Sequence, residues 1–532
     1  MRWLQPNVPE DSEYITSPLF WALACVTGVC AGLASGLLML LFEAIQHLAW
    51  SYRPGDDFLA AVAGTDHRRA FVVVALAGCL AALFRTVLWR TRGGGTGTEL
   101  VETIWFQGAR MKPLRTLAQG ALSIIIVAMG ASLGRESAPK QYGALAGSLI
   151  GGWAALPPSQ RRLLVACGAG GGFAAVYNVP LGGAMFALEA LLGEISLSMA
   201  PAALLVTCVA TMTSWLLLPN VSSYHVPPYP LSADQLLWAA LIGPAAGIAD
   251  VAYVRLICFA DRQRPSGVFA ALAPLAVFSM LGLLSFRYPE LLGNGKGVTE
   301  RVFLGEHDLT LLTTLLVLRP LACAACLGSG APGGLFTPTL TVGALVGAIC
   351  GRLWLQLWPG APLGGFAIVG ASAFLAGATQ GPISAIVLVS ELTHGLDLIV
   401  PSMLAVGGAT LTARLFESRS IYSGRVQLGR LAATRAEAAQ PNGSFITLSA
   451  GARIGELREA LFLAAGQNRP VHVVDKNGAL LGEVTAESFE AGRAVPLQCA
   501  AAADFVDNIG ALEDVAIRAG SDAPRAAGDR AV

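Results

Sequence analysis

Two stretches, "GRESAPKQYGALAGSLIGG" at residues 134–152 and "GLFTPTLTVGALVGAICGR" at 334–352, share one skeleton. Gly134, Gly143, Gly147 and Gly151 match Gly334, Gly343, Gly347 and Gly351, and Ala144-Leu145 recurs as Ala344-Leu345. The second copy has Leu335 and Phe336 where the first has Arg135 and Glu136, with Lys140 following. A second pair repeats nearby: "GAGGGFAAVYNVPLGGAMFALE" (168–189) and "GASAFLAGATQGPISAIVLVSE" (370–391) align Gly168, Pro180 and Glu189 with Gly370, Pro382 and Glu391. The chain is therefore built from two related halves, about 70–220 and 268–416. Spacing alone leaves open whether they run parallel or inverted.

The surroundings of these stretches set the solvent. Of 532 residues, 54% are hydrophobic and only 13% charged, whereas a soluble domain carries about 25% charged residues. Mean hydropathy is +0.60. This predicts a polytopic, all-α membrane protein and leaves a very apolar soluble enzyme as a remote alternative. Residues 19–42 are long enough to span a bilayer and follow an acidic N-terminal segment, 1–18, rather than the basic start of a signal peptide. They read as a retained first helix. Several later apolar runs are short or interrupted by Gly and Pro. A bilayer tolerates such breaks only where the backbone faces protein or a cavity, and paired breaks in two halves point to a transport site.

Other function classes find little support. Formal net charge is zero, so no basic field invites nucleic acid. Nine of the ten cysteines sit in apolar runs, where a thiol serves as a small hydrophobe, and Cys323-x-x-Cys326 has no second pair. The histidines show no metal-ligand spacing. No P-loop, GxSxG or HExxH occurs. No enzyme, cofactor or metal is expected. Basic clusters at Arg85–Arg92, Arg110–Arg115 and Arg161–Arg162 suggest cytoplasmic loops, although His67, Arg68 and Arg69 weaken that signal. Past Tyr422 the composition turns polar, and "PVHVVDKNGALLGEVT" reads as strand, turn, strand. Residues 425–520 are expected to form a small soluble α/β domain, and 521–532 a disordered tail.

The chemistry lies at helix starts. A helix N-terminus presents unpaired N–H groups and the positive end of a dipole. "GGGTGTE" (93–99), "GRESAP" (134–139) and "GSGAPGGLFTP" (328–338) each feed a helix, the last beginning near Pro338. Several such starts aimed at one point would bind an anion without a full positive charge, which suits an ion that must also leave. The competing reading is that these glycines only permit close helix packing. Glu136 at such a place could be satisfied by the amides that hold the anion, and so act as a gate. Its competing reading is a static pair with Arg135.

The chain resembles the CLC family of chloride channels and proton/chloride antiporters over about residues 20–425. Gly134-Arg135-Glu136-Ser137-Ala138-Pro139 is similar to the family's Gly-Arg-Glu-Gly-Pro, and Gly334-Leu335-Phe336-Thr337-Pro338 matches its Gly-x-Phe-x-Pro. "YNVPLGGAMFALE" (177–189) is similar to the segment after the first filter helix, and "IYSG" (421–424) puts Tyr422 at the family's anion-coordinating tyrosine. The resemblance implies an inverted-repeat fold over 19–424 and a homodimer in the plasma (inner) membrane with both termini cytoplasmic. It makes Glu136 the gating glutamate and Gly134, Arg135, Gly334 and Pro338 the filter loops. Leu335, Phe336 and Tyr422 become anion ligands, with either Gly95 or Thr96 at the family's filter serine. Chloride exchanged for protons is the implied activity, with a passive pH-gated channel as alternative and fluoride or nitrate as more remote cargo. Family antiporters commonly carry paired acids after "FALE"; here Glu189 is followed by Ala190, which bears on the proton pathway. The C-terminal segment resembles a shortened cystathionine-β-synthase (CBS) type module, for which adenine nucleotide is a possible ligand.

Overall fold

A computed structural model describes residues 17–52, 57–87, 99–106, 108–306, 308–416 and 418–425, and three strands at 446–449, 471–474 and 480–484. The chain divides into two compact units, Met1–Val426 and Gln427–Val532. The first is all-helical among its described residues. Its first half comprises α1 (Pro18–Trp50), α2 (Phe58–Ala63), α3 (His67–Val87), α4 (Glu99–Phe106), α5 (Pro113–Ala128), α6 (Ser137–Trp153), α7 (Pro158–Tyr177), α8 (Pro180–Met185) and α9 (Ala200–Ser214). The second continues with α10 (Ala233–Arg262), α11 (Phe269–Leu284), α12 (Lys296–Phe303), α13 (Leu309–Gly328), α14 (Phe336–Leu355), α15 (Leu363–Thr379), α16 (Pro382–Thr393) and α17 (Ile399–Leu415). Five of them, α1, α3, α10, α13 and α14, are long and apolar enough to cross a membrane.

The first helix shows how sequence sets the packing. Ser17 accepts the Phe20 N–H at 3.2 Å and Pro18 fills the first position, so the helix starts sharply. One face carries Ala24, Gly28, Gly32 and Ser35, all buried, while Leu19, Leu37 and Leu48 point outward. Small residues inside and large apolar ones outside is the pattern of helices that meet closely in lipid.

The repeat glycines have a specific use at the helix crossings. A Cβ on Gly143 of α6 would overlap the backbone of Gly168 in α7, and a Cβ on Gly370 of α15 would overlap Gly347 in α14. Each half thus crosses its two central helices backbone to backbone. Here close packing and site-building are compatible, since the glycines at the crossing are not those at the helix starts.

The continuous apolar runs 163–192 and 364–393 are each divided in the structure. Asn178 closes α7 in the left-handed region (φ 57°), and Gln380 closes α15 likewise (φ 55°). Pro180 and Pro382 then open α8 and α16 at a position where no N–H is required. After α8, residues Phe186–Leu192 continue as a π-helical turn ended by Gly193.

In the second unit, β1 (Ile446–Ser449) pairs parallel with β2 (Val471–Val474), which pairs antiparallel with β3 (Leu480–Val484). The latter two are the strands read from "PVHVVDKNGALLGEVT"; the turn residues Lys476, Asn477 and Gly478 lie outside the described residues. So do residues 1–16, the Gly94–Thr98 loop with Gly95 and Thr96, most of 425–520 and the tail 521–532.

Candidate functional site

The two copies of the repeat meet at their glycines. Gly134 and Gly334 form an isolated antiparallel bridge, each N–H donating to the other's carbonyl at 2.7 and 2.8 Å. This places the start of α6, with Glu136 as its N-cap residue, beside the start of α14, with Leu335 as its N-cap residue. A Cβ on either glycine would overlap the Glu136 carboxylate, so both positions must lack a side chain. Both helices begin earlier than the apolar pattern indicates. The polar residues Ser137, Lys140 and Gln141 are helical, and Pro338 is the third residue of α14, where its missing N–H has no partner to lose.

Glu136 does not cap its own helix. Its carboxylate crosses the bridge and accepts the Phe336 N–H at 2.6 Å. Two longer contacts assist it, from Thr337 Oγ1 at 3.3 Å and the Tyr177 hydroxyl at 3.4 Å. Tyr177 and Thr337 also bond each other at 2.8 Å. Glu136 is fully buried. The pair with Arg135 does not form: that guanidinium lies over the rings of Phe42 (5.5 Å) and Tyr177 (5.3 Å).

Beside this gate-like contact lies a cavity of about 30 Å³, bounded by Gly334, Leu335, Phe186, Tyr422, Lys140 and Arg425 among others. That volume holds a water-sized or slightly larger particle. Tyr422 is buried and its hydroxyl has no hydrogen-bond partner; its ring packs edge-on to Phe186 at 5.7 Å. A buried phenol donor beside a small cavity is arranged to meet an acceptor brought from outside. The structure thus gathers Gly134, Glu136, Gly334, Leu335, Phe336 and Tyr422 in one place, with Arg135 and Pro338 adjoining.

Glu189 and Ala190 lie in the π-helical turn whose Phe186 and Leu191 line the cavity, but neither of the two lines it. The Glu189 carboxylate accepts the N–H groups of Ile383 (3.2 Å) and Ser384 (2.6 Å) and the Ser384 hydroxyl (2.6 Å) at the start of α16. Glu391 reciprocates, accepting Leu181 N–H (3.1 Å) and Gly182 N–H (2.6 Å) at the start of α8. Sequence reasoning missed Tyr177, Thr337 and the placement of Lys140. For Lys140 a signal existed, because residues four apart share a helix face, but it required starting the helix at Ser137.

Comparison with known proteins finds relatives over most of the chain. The sequence model described as "Voltage gated chloride channel" matches residues 77–414. A "Putative chloride channel protein ClcB-like" of Ralstonia nicotianae is 33% identical over 409 residues, 74% of this chain and 94% of that protein. The "H(+)/Cl(-) exchange transporter ClcA" of Vibrio campbellii is 28% identical, over 78% of this chain and 92% of its own. Among solved structures, a slow cyanobacterial Cl-/H+ antiporter superposes with a TM-score of 0.67 at 21% identity, covering 76% of this chain and 97% of that one.

Proposed function

The chain belongs to the voltage-gated chloride channel family and is an integral multi-pass membrane protein of that family's all-helical fold; on that premise we propose that it exchanges chloride for protons, with Glu136 as the movable gate. One observation carries this reading. The Glu136 carboxylate takes the Phe336 N–H of the opposite half instead of capping its own helix. An amide at a helix start that binds a carboxylate can equally bind an anion. Ionised, Glu136 occupies that place. Protonated, it loses the charge that the α14 N-terminus attracts, swings away, and yields the amide to chloride. Coupling follows because the proton arrives on the group the anion displaces. The neighbouring cavity, with the unpartnered Tyr422 hydroxyl, supports a second anion position on the same path.

Ala190 favours a second reading, a passive chloride channel with a proton-sensitive gate. Family antiporters commonly carry an acid at this place, and the carboxylate that remains, Glu189, is already engaged by three donors. The antiparallel bridge between Gly134 and Gly334 supports an inverted relation of the two halves. The family resemblance extends the proposal to a homodimer with cytoplasmic termini.

Purified protein in sealed vesicles decides between these readings. A chloride gradient is imposed with the potential clamped by valinomycin, while an internal dye reports pH. Uphill proton movement supports exchange. Chloride flux without proton movement replaces it with the channel, and no chloride flux overturns both. Glu136→Gln is expected to keep chloride flux while losing proton coupling and pH dependence; wild-type behaviour would remove Glu136 from the gate.

A further inference from the structure

Lys140 sits in the second turn of α6, only 6% exposed. Its ammonium lies over three rings, those of Phe186 (5.0 Å), Tyr422 (5.2 Å) and Phe173 (5.7 Å). It also lines the cavity next to Leu335 and Tyr422. Among the described residues it makes no hydrogen bond and no ion pair. The other cations nearby are accounted for differently. Arg425, on the same cavity wall, is paired with Asp261 at 3.1 Å, and Arg135 lies over Phe42 and Tyr177. Glu136, four residues earlier, attracts Lys140 electrostatically without an ion-pair contact and gives its carboxylate to Phe336.

A buried ammonium with no carboxylate in ion-pair contact is costly, ring faces offset that cost only in part, and the longer-range attraction of Glu136 is lost once Glu136 is protonated. The missing charge has a place to sit, because the same cavity holds an unpartnered phenol donor. We propose that Lys140 is the counter-cation of the anion in this cavity and sets how tightly that anion is held. This rests on reading the cavity as part of the anion path. It departs from the expectation that the site binds without a full positive charge. Helix starts and a phenol hold an anion loosely; an added ammonium deepens the well, raising affinity and slowing release.

The test uses the full chain in detergent, in the Glu136→Gln background so that no carboxylate competes, with chloride titrated calorimetrically. Lys140→Met preserves length and apolar contact with the rings while deleting the charge. It is expected to weaken chloride binding by about tenfold or more, a modest share of what a unit charge a few ångströms away supplies at an effective dielectric of about 20. Lys140→Arg is expected to stay within about threefold, since the charge is retained. Tyr422→Ala serves as the reference for the cavity. Unchanged affinity in Lys140→Met, with weakened binding in Tyr422→Ala, overturns the proposal and leaves the anion path standing. Unchanged affinity in both overturns the path reading as well. Should Lys140→Met not fold, Lys140→Gln in vesicles decides the same point: half-saturating chloride and maximal flux must both rise, and a curve like wild type overturns the proposal.

Discussion

Glu136 and Glu189 are both buried carboxylates of the first half that reach a helix start in the second, and they are held very differently. Glu189 takes two backbone N–H groups and a hydroxyl, two of the three bonds at 2.6 Å. Glu136 takes one short bond, from Phe336, and two contacts beyond 3.2 Å. Glu391 lies between them, with two backbone donors. A hydrogen bond to a charged group is worth about 1.5–3 kcal/mol, so the count of bonds at 3.2 Å or less, three for Glu189, two for Glu391 and one for Glu136, ranks the three. The same device is a fastener where the donors saturate the carboxylate. Where they do not, the carboxylate is held by less, as the proposed gate requires.

Four substitutions test that ranking. The largest stability loss is expected for Glu189→Ala, which strands the buried N–H and hydroxyl of Ser384 and the N–H of the exposed Ile383. Several bonds are lost together, so the free energy of unfolding in detergent should fall by about 3 kcal/mol or more, or the protein should fail to assemble. Glu391→Ala strands two donors, one of them on the exposed Leu181, and should cost about 2 kcal/mol by the same measure. Glu136→Gln should change stability by less than about 1 kcal/mol while altering flux; a loss as large as that of Glu189→Ala would make Glu136 a fastener too. The smallest effect is expected for Tyr177→Phe. It removes the 3.4 Å contact with Glu136 and the 2.8 Å bond with Thr337, whose hydroxyl keeps Glu136 as a partner, so stability should change by about 1 kcal/mol or less, and chloride flux at neutral pH should rise a few-fold; lower flux would show that Tyr177 helps pass the anion instead.

The two halves and the bridge beneath Glu136 were legible because glycine and proline leave marks that do not depend on packing. Gly134 and Gly334 had to be glycine for the bridge to close beneath the carboxylate, and Pro180 and Pro382 had to follow a helix end. The reciprocal caps were legible only as letters: Glu189 and Glu391 matched in position, but nothing in the sequence says that each serves the other's partner. Lys140 was hidden for another reason. Apolar periodicity places a helix start at the first greasy residue, and here the mixed stretch Ser137–Tyr142 precedes it as helix inside the protein. Residues whose partners come from far along the chain, such as Tyr177 with Thr337, have no local signature.

The reciprocal caps also order events in time. The chain is synthesised from its N-terminus, and the Gly182 N–H must wait for Glu391, 209 residues later. Until then the start of α8 carries open donors in an apolar setting, and Glu189 has no helix to cap. The first half therefore cannot reach its final state while the second is still being made. Both caps close only once both halves are in the bilayer, and a chain truncated before residue 391 leaves the start of α8 with the Leu181 and Gly182 donors open.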